Sequence, residues 1–227
     1  MEIWILKLKI MYLKWAIKNI KDFTEENINS LYDTGFVFTR KGYGEMDQTR
    51  SVRVDLTKFE LSSENRRVLR KTENIKLETV ALPHPDYDWS IHKLGHEFYS
   101  QKFGDKTFSA NKIKELLTDA DKSNFNLLLI YSADKPLGYA ICFQTKNILH
   151  YSYPFYNLSA DNINLGIGMM TKAIVWAKEQ NKKYIYLGSA KDEKALYKFQ
   201  FTGVEWFDGK KWNSGIEEIK KYFKIKF

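Results

Sequence analysis

The stretch Asn164 to Gly188, "NLGIGMMTKAIVWAKEQNKKYIYLG", decides the fold. Met169, Met170, Ala173, Ile174 and Ala177 recur at helical spacing, so an apolar face runs along one helix. "YIYLG" then reads as a short buried strand. Just upstream, "LLLIYS", "PLGYAICFQ" and "ILHYSYPFY" follow one another, with a hairpin-type turn at "ADKPLG" and a polar "TKN" between the second and third. A three-stranded meander is the simplest account. Meander, glycine turn, helix and strand together predict an α/β arrangement with a crossover.

Gly166 and Gly168 stand where the last strand of the meander hands over to the helix. Free backbone N–H groups and the positive helix end can face an anion or a carbonyl oxygen there. The same glycines also suit a tight turn that lets helix and sheet approach closely. Local sequence leaves both readings open.

Before the meander, a helix is expected around Glu25 to Tyr32, followed by a strand pair in "GFVFTRKGYG" and "SVRVDLTKF". "SSENRRVLRKTENI" then carries a helix capped by Ser62 or Ser63, with Glu64 in its first turn. Arg66 with Arg70, and Arg67 with Lys71, fall four apart on neighbouring stripes, where like charges repel. Only Glu64 and Glu73 offset them locally, so the helix either shows a solvated face or waits for an anionic partner. "ALPHPDYDW", with two of the four prolines, breaks regular structure and is the best linker. It divides the chain into an N-terminal α+β region with the basic helix, 1–82, and a larger region, 83–227. In the latter, "HEFYSQKF" and "SANKIKELLTDA" read as helices, the second capped by Ser109 with Ile113, Leu116 and Leu117 on one face.

The whole chain is basic, with net charge +8 and pI near 9.2, which makes a polyanion a plausible partner. Its 227 residues, 44% hydrophobic, suffice for one good core or two small fused ones. Cys142 is the single cysteine, which excludes an internal disulfide and a Cys-rich metal site and fits a reducing cytoplasm. Leu6, Leu8 and Ile10 alternate with Lys7 and Lys9, so the apolar N-terminus reads as a half-buried strand and not as a membrane anchor or signal. His92 and His96 lie four apart, but Gly95 and the absence of a zincin's intervening Glu argue against a metal. His150 is either a general base or an inward-facing, hydrogen-bonded strand histidine. No Ser/His/Asp triad at interpretable spacing competes.

The glycine turn resembles that of the acyl-CoA-binding core of the GNAT superfamily, with a pattern like Gln/Arg-x-x-Gly-x-Gly/Ala. Ile163 stands where the basic or amide residue is expected, which implies an acyl donor other than CoA. A broader set of pieces, "GF" at Gly35-Phe36, "VRVDLTKFELSSENRRVLRKTENI", "LHYSYPFY", "NLG", "YIYLG", "LYKFQF" and "EWFDGKKW", occurs in the order found in the aminoacyl-tRNA–protein transferases. The chain resembles that family, whose catalytic half is GNAT-like. It departs from it in having "GEMDQTRS" where a cysteine cluster is usual, and "SAKDEKAL" after the "YLG" strand end.

The resemblance implies a GNAT-like acyltransferase fold, a central mixed sheet flanked by helices with a smaller N-terminal α+β region packed on it, and 83–227 as the catalytic domain. It implies transfer of an amino acid from tRNA to the α-amine of a protein or peptide, in the cytoplasm, away from membranes, with aminoacyl-tRNA as co-substrate and no cofactor or metal. On that model Arg66, Arg67, Arg70 and Lys71 contact tRNA phosphates. Tyr186, His150 and Tyr151 are the candidate catalytic residues, Tyr186 as a proton relay. Asn164, Leu165, Gly166 and Gly168 hold the carbonyl or the tRNA terminus. Tyr153 and Tyr156 join Tyr151 in lining the donor cavity, where aromatic faces stack on the terminal adenine. Tyr197 and Lys198 stand near its mouth, though Lys198 equally suits a solvated surface. Two alternatives remain: an N-acetyltransferase using acetyl-CoA on the same fold, and a non-catalytic RNA-binding relative.

Overall fold

In the computed structural model, which describes residues 14–160 and 164–224, the chain contributes eleven strands and six α-helices. The first part contains β1 (Ala16–Asn19), α1 (Glu25–Asp33), β2 (Phe36–Phe38), β3 (Glu45–Gln48), β4 (Ser51–Asp55), α2 (Ser63–Lys71) and β5 (Lys76–Ala81). α3 (Trp89–Phe103), α4 (Ala110–Thr118), β6 (Leu127–Ser132), β7 (Pro136–Gln144), β8 (Ile148–Tyr156), α5 (Leu165–Glu179) and β9 (Tyr184–Ser189) follow. A 3-10 helix (Glu193–Gln200), β10 (Val204–Phe207), β11 (Trp212–Ser214) and α6 (Ile216–Lys224) complete it. The alternation expected over Leu6 to Ile10 lies outside the described residues.

The apolar runs form the expected antiparallel meander β6–β7–β8, and α5 crosses over to bring β9 back parallel to β8. That one parallel pair makes the sheet mixed, in the order β11-β10-β4-β9-β8-β7-β6-β5. Alternate residues serve opposite faces. Leu127, Leu129, Tyr131, Cys142, Leu149, Tyr151 and Ile185 pack with Met169, Met170, Ala173, Ile174 and Ala177 of α5. Leu128, Ile141, Ile148, Phe155 and Tyr186 pack on the other face with α1, α3 and α4, through residues such as Tyr32, Phe98, Tyr99 and Ile113. The α/β architecture with helices flanking a central mixed sheet is as expected.

β2 pairs with β3, and β3 with β1, in a separate three-stranded sheet. With α1 it is a small α+β layer on the second face, joined to the main core through Ile28, Tyr32, Phe38 and Met46. The expected pairing of "GFVF" with "SVRVD" is not formed. All five residues of β4 are buried, and such a strand belongs inside a sheet with both faces covered. It lies between β10 and β9. β5 pairs with β6 at the opposite edge, so the large sheet draws strands from both sides of residue 82.

Candidate active site

β8 and β9 are paired at only three positions, Ile148 with Tyr184, Leu149 with Ile185 and His150 with Tyr186. β8 then continues to Tyr156 and β9 to Ser189, each still held on its other edge by β7 and β4. The two strands therefore fork beyond His150 and Tyr186, and their facing backbone groups do not bond to each other. α5 begins at this end of β8. Its N-cap, Asn164, makes no capping side-chain hydrogen bond, and the positive helix end lies at this end of β8.

The two glycines divide the tasks left open by the sequence. A side chain at Gly166 would stand 2.7 Å from the Tyr156 hydroxyl, so Gly166 makes room for that ring above the helix start. A side chain at Gly168 would stand 2.6 Å from Thr72 Cγ2. Gly168 is thus taken by the close approach of α2 to α5 and is not a substrate contact. The same contact sets the basic helix beside the first turns of α5. The Ser62 hydroxyl accepts from Asn65 N at 3.1 Å, and Asn65 Oδ1 accepts from Ser62 N at 3.2 Å, a reciprocal cap worth about 1 kcal/mol. Arg66, Arg70 and Lys71 are exposed, whereas Arg67 Nε donates to Glu64 Oε2 at 2.6 Å and is half-buried.

The tyrosines do not share one cavity. Tyr153 and Tyr156 are half-buried along the forked part of β8, but Tyr151 points to the opposite face, sealed in the α5 core. Burial holds its phenol far above the ordinary range, which removes it as a catalytic group. Tyr186 stands at the fork but is also fully buried. Burial raises its phenol, and Arg53 Nη1, which donates to its oxygen at 3.3 Å, only partly offsets this. His150 resolves as the inward-facing strand histidine. Its Nδ1 lies 2.9 Å from Tyr32 Oη, and burial, then the charge of Lys198, pushes the imidazole down to about 3. An imidazole so weakly basic is a poor general base near neutral pH.

Lys198 is not a solvated surface charge. It is buried beside the fork, its Nζ donates to Ser189 O at 2.8 Å, and desolvation lowers it from its ordinary value to about 8. Tyr197 is half exposed next to it.

Several residues around the fork carried no signal in the sequence because distant elements bring them in. Lys102 of α3 lies 3.4 Å from the Tyr156 hydroxyl. The Arg40 guanidinium sits over Phe108 at 4.1 Å and near Tyr153 at 5.4 Å, and Arg40 N donates to the Tyr153 hydroxyl at 3.0 Å. Arg53 stacks between Tyr184 at 3.8 Å and Trp212 at 4.0 Å while bonded to Asp33 and Glu205. Cys142 is buried with its thiol raised, as befits an inert core cysteine. Among the described residues no His, Cys, Asp and Glu cluster suits a metal ion, and no helix is long and apolar enough to cross a membrane.

A forked parallel strand pair, an uncapped helix start and a cationic helix beside it form an arrangement suited to holding an activated carbonyl group. Residues 86–208 match the family model described as arginine-tRNA-protein transferase, C terminus. The aspartate/glutamate leucyltransferase of Saccharophagus degradans is 22% identical over 166 residues, covering 71% of this chain and 69% of that protein. The protein of the same description from Xanthomonas oryzae pv. oryzae is 22% identical over 168 residues, covering 71% and 67%. Among solved structures, the C-terminal DUF2156 domain assigned to a lysylphosphatidylglycerol synthetase of Agrobacterium fabrum superposes with a TM-score of 0.51 at 14% identity. That match covers 78% of this chain and 55% of that one, and it supports the shared α/β fold alone. With more than half of its length in the family model, fork and α5 included, the chain belongs to the arginine-tRNA-protein transferase C-terminal family and is a transferase.

Proposed function

We propose that the protein transfers an amino acid, leucine or arginine, from its tRNA to the α-amine of a protein or peptide. The observation that carries this reading is the contact of Thr72 with Gly168, which seats the basic helix α2 against the start of α5 at the fork. Exposed Arg66, Arg70 and Lys71 supply sequence-independent phosphate contacts, and the aminoacyl ester extends from there to the fork.

An aminoacyl ester is already activated. The neutral α-amine attacks its carbonyl carbon, forming the C–N bond and a tetrahedral oxyanion. On collapse the C–O bond to the tRNA ribose breaks, and the proton lost by the amine ends on the departing ribose oxygen. The protein's share is alignment, which can supply roughly 7–11 kcal/mol at best, and donors aimed at the developing oxyanion. The N–H groups opening α5, at Leu165 and Gly166, are suited to the second task, and Tyr153 and Tyr156 to holding the terminal nucleotide. Charged tRNA is the co-substrate and no further cofactor enters. Such a donor places the protein in the cytoplasm. The names of the relatives support an acidic acceptor terminus.

The test is a transfer assay with separately labelled leucyl- and arginyl-tRNA and peptides beginning with Asp, Glu or Ala. Incorporation into an acidic peptide is expected. Label remaining on tRNA with all peptides, under conditions where the tRNA binds, would leave a non-catalytic RNA-binding protein in its place.

A further inference from the structure

A lysine ammonium has three donors and a full charge, and burying it is costly unless an anion meets it. Among the described residues, Lys198 Nζ makes one hydrogen bond, to a neutral carbonyl, and no ion pair. Two buried cations of the molecule, Arg53 and Lys182, have carboxylates near them. Arg53 has Asp33 and Glu205, and the charge of Lys182, whose Nζ donates to Thr145 O at 2.7 Å, is supported by Glu25. Nothing comparable raises Lys198, whose one resolved influence is loss of water.

The position of this lone charge is specific. Ser189, its carbonyl partner, is the last residue of β9, past the final pair with β8. Gly188 lies between, with no side chain to screen it, and Nζ is 3.5 Å from where one would begin. A desolvated ammonium therefore stands at the end of the fork with donors unspent.

We propose that Lys198 binds the side-chain carboxylate of an acidic first residue on the acceptor and so places that residue's α-amine at the fork. This rests on the aminoacyl-transfer reading and names the group that selects its acceptor. In an N-terminal Asp or Glu the carboxylate and the amine branch from the same residue, so anchoring one orients the other. A tRNA phosphate is the competing anion, but exposed cations on α2 already suit phosphates, whereas a buried cation suits a small group desolvated on binding. Removing the carboxylate charge leaves the ammonium buried and unmet, which is what gives the site its discrimination.

Calorimetric titration with Asp-Ala-amide and its near-isostere Asn-Ala-amide tests this without any tRNA. Wild type is expected to bind the Asp peptide about tenfold more tightly or better, the scale of a charge-assisted hydrogen bond. Lys198→Met, which keeps the chain length and removes a buried charge, is expected to abolish that preference and leave the Asn peptide unaffected. Equal affinities in wild type, no binding of either peptide, or a preference that survives Lys198→Met would each overturn the assignment. So would loss of tRNA binding in Lys198→Met with the Asp preference intact, which would put a phosphate there. A wild type that prefers Asp yet transfers nothing would refute the transferase reading alone, and transfer that ignores the acceptor's charge would refute the Lys198 assignment alone.

Discussion

Neutralising Arg66, Arg70 and Lys71 together, each to Gln, should weaken tRNA binding in a way that salt reveals. All three are exposed on α2, so their removal leaves the core contacts of Val68 and the Ser62–Asn65 cap in place. It also relieves like-charge repulsion along the helix, so thermal stability should hold or rise slightly. Each phosphate contact contributes roughly 0.7–0.9 to the slope of log affinity against log salt, so losing three should flatten it by roughly 2–2.7. Between 50 and 200 mM salt, wild type should then lose about 20- to 40-fold more affinity than the variant. The structure adds a finer expectation: Arg67 is already met by Glu64, so Arg67→Gln should flatten the slope less than Arg70→Gln. Fluorescence anisotropy with a hydrolysis-resistant aminoacyl-tRNA across a salt series measures both. An unchanged slope in the folded triple variant would refute the placement of tRNA on α2.

Gly168→Ala should destabilise by about 1–3 kcal/mol through the clash with Thr72, although helix propensity alone favours alanine by about 1 kcal/mol. Thr72→Ser, which deletes the clashing methyl, should recover much of the loss in urea unfolding, and simple additivity of the two changes would contradict this packing. His150 supplies a pH signature. With the folded imidazole at about 3 and its ordinary value at 6.5, the unfolded chain binds the proton first as pH falls. The folded state is therefore fully favoured above 6.5 and loses stability from 6.5 down towards 3, by up to roughly 1.4 kcal/mol per unit. His150→Gln should flatten the wild-type curve between pH 6.5 and 4, and parallel curves would show that the imidazole is not held neutral.

What the amino-acid order determines by itself is everything with a local period. The apolar alternation of β6 to β8 and the spacing of Met169 to Ala177 specify meander, crossover helix and returning strand. The Ser62 cap and the basic stripes of α2 are likewise complete within a few residues. Tertiary structure alone decides the rest, because each case turns on which distant surface fills a space. Gly168 serves packing because Thr72, almost a hundred positions earlier, comes against it. Tyr151 and Tyr153, two apart in "HYSY", would share a face by the strand's period, but a register shift between their partners Cys142 and Ile141 sends them to opposite faces, one sealed and the other half-open. β4 looked like the partner of β2, yet the covering of both its faces draws it into the large sheet. Lys198 reads as an ordinary surface lysine until the fold removes its water and leaves it facing the fork. A charge's meaning depends on the solvent and ions around it, and those are set by the whole chain at once.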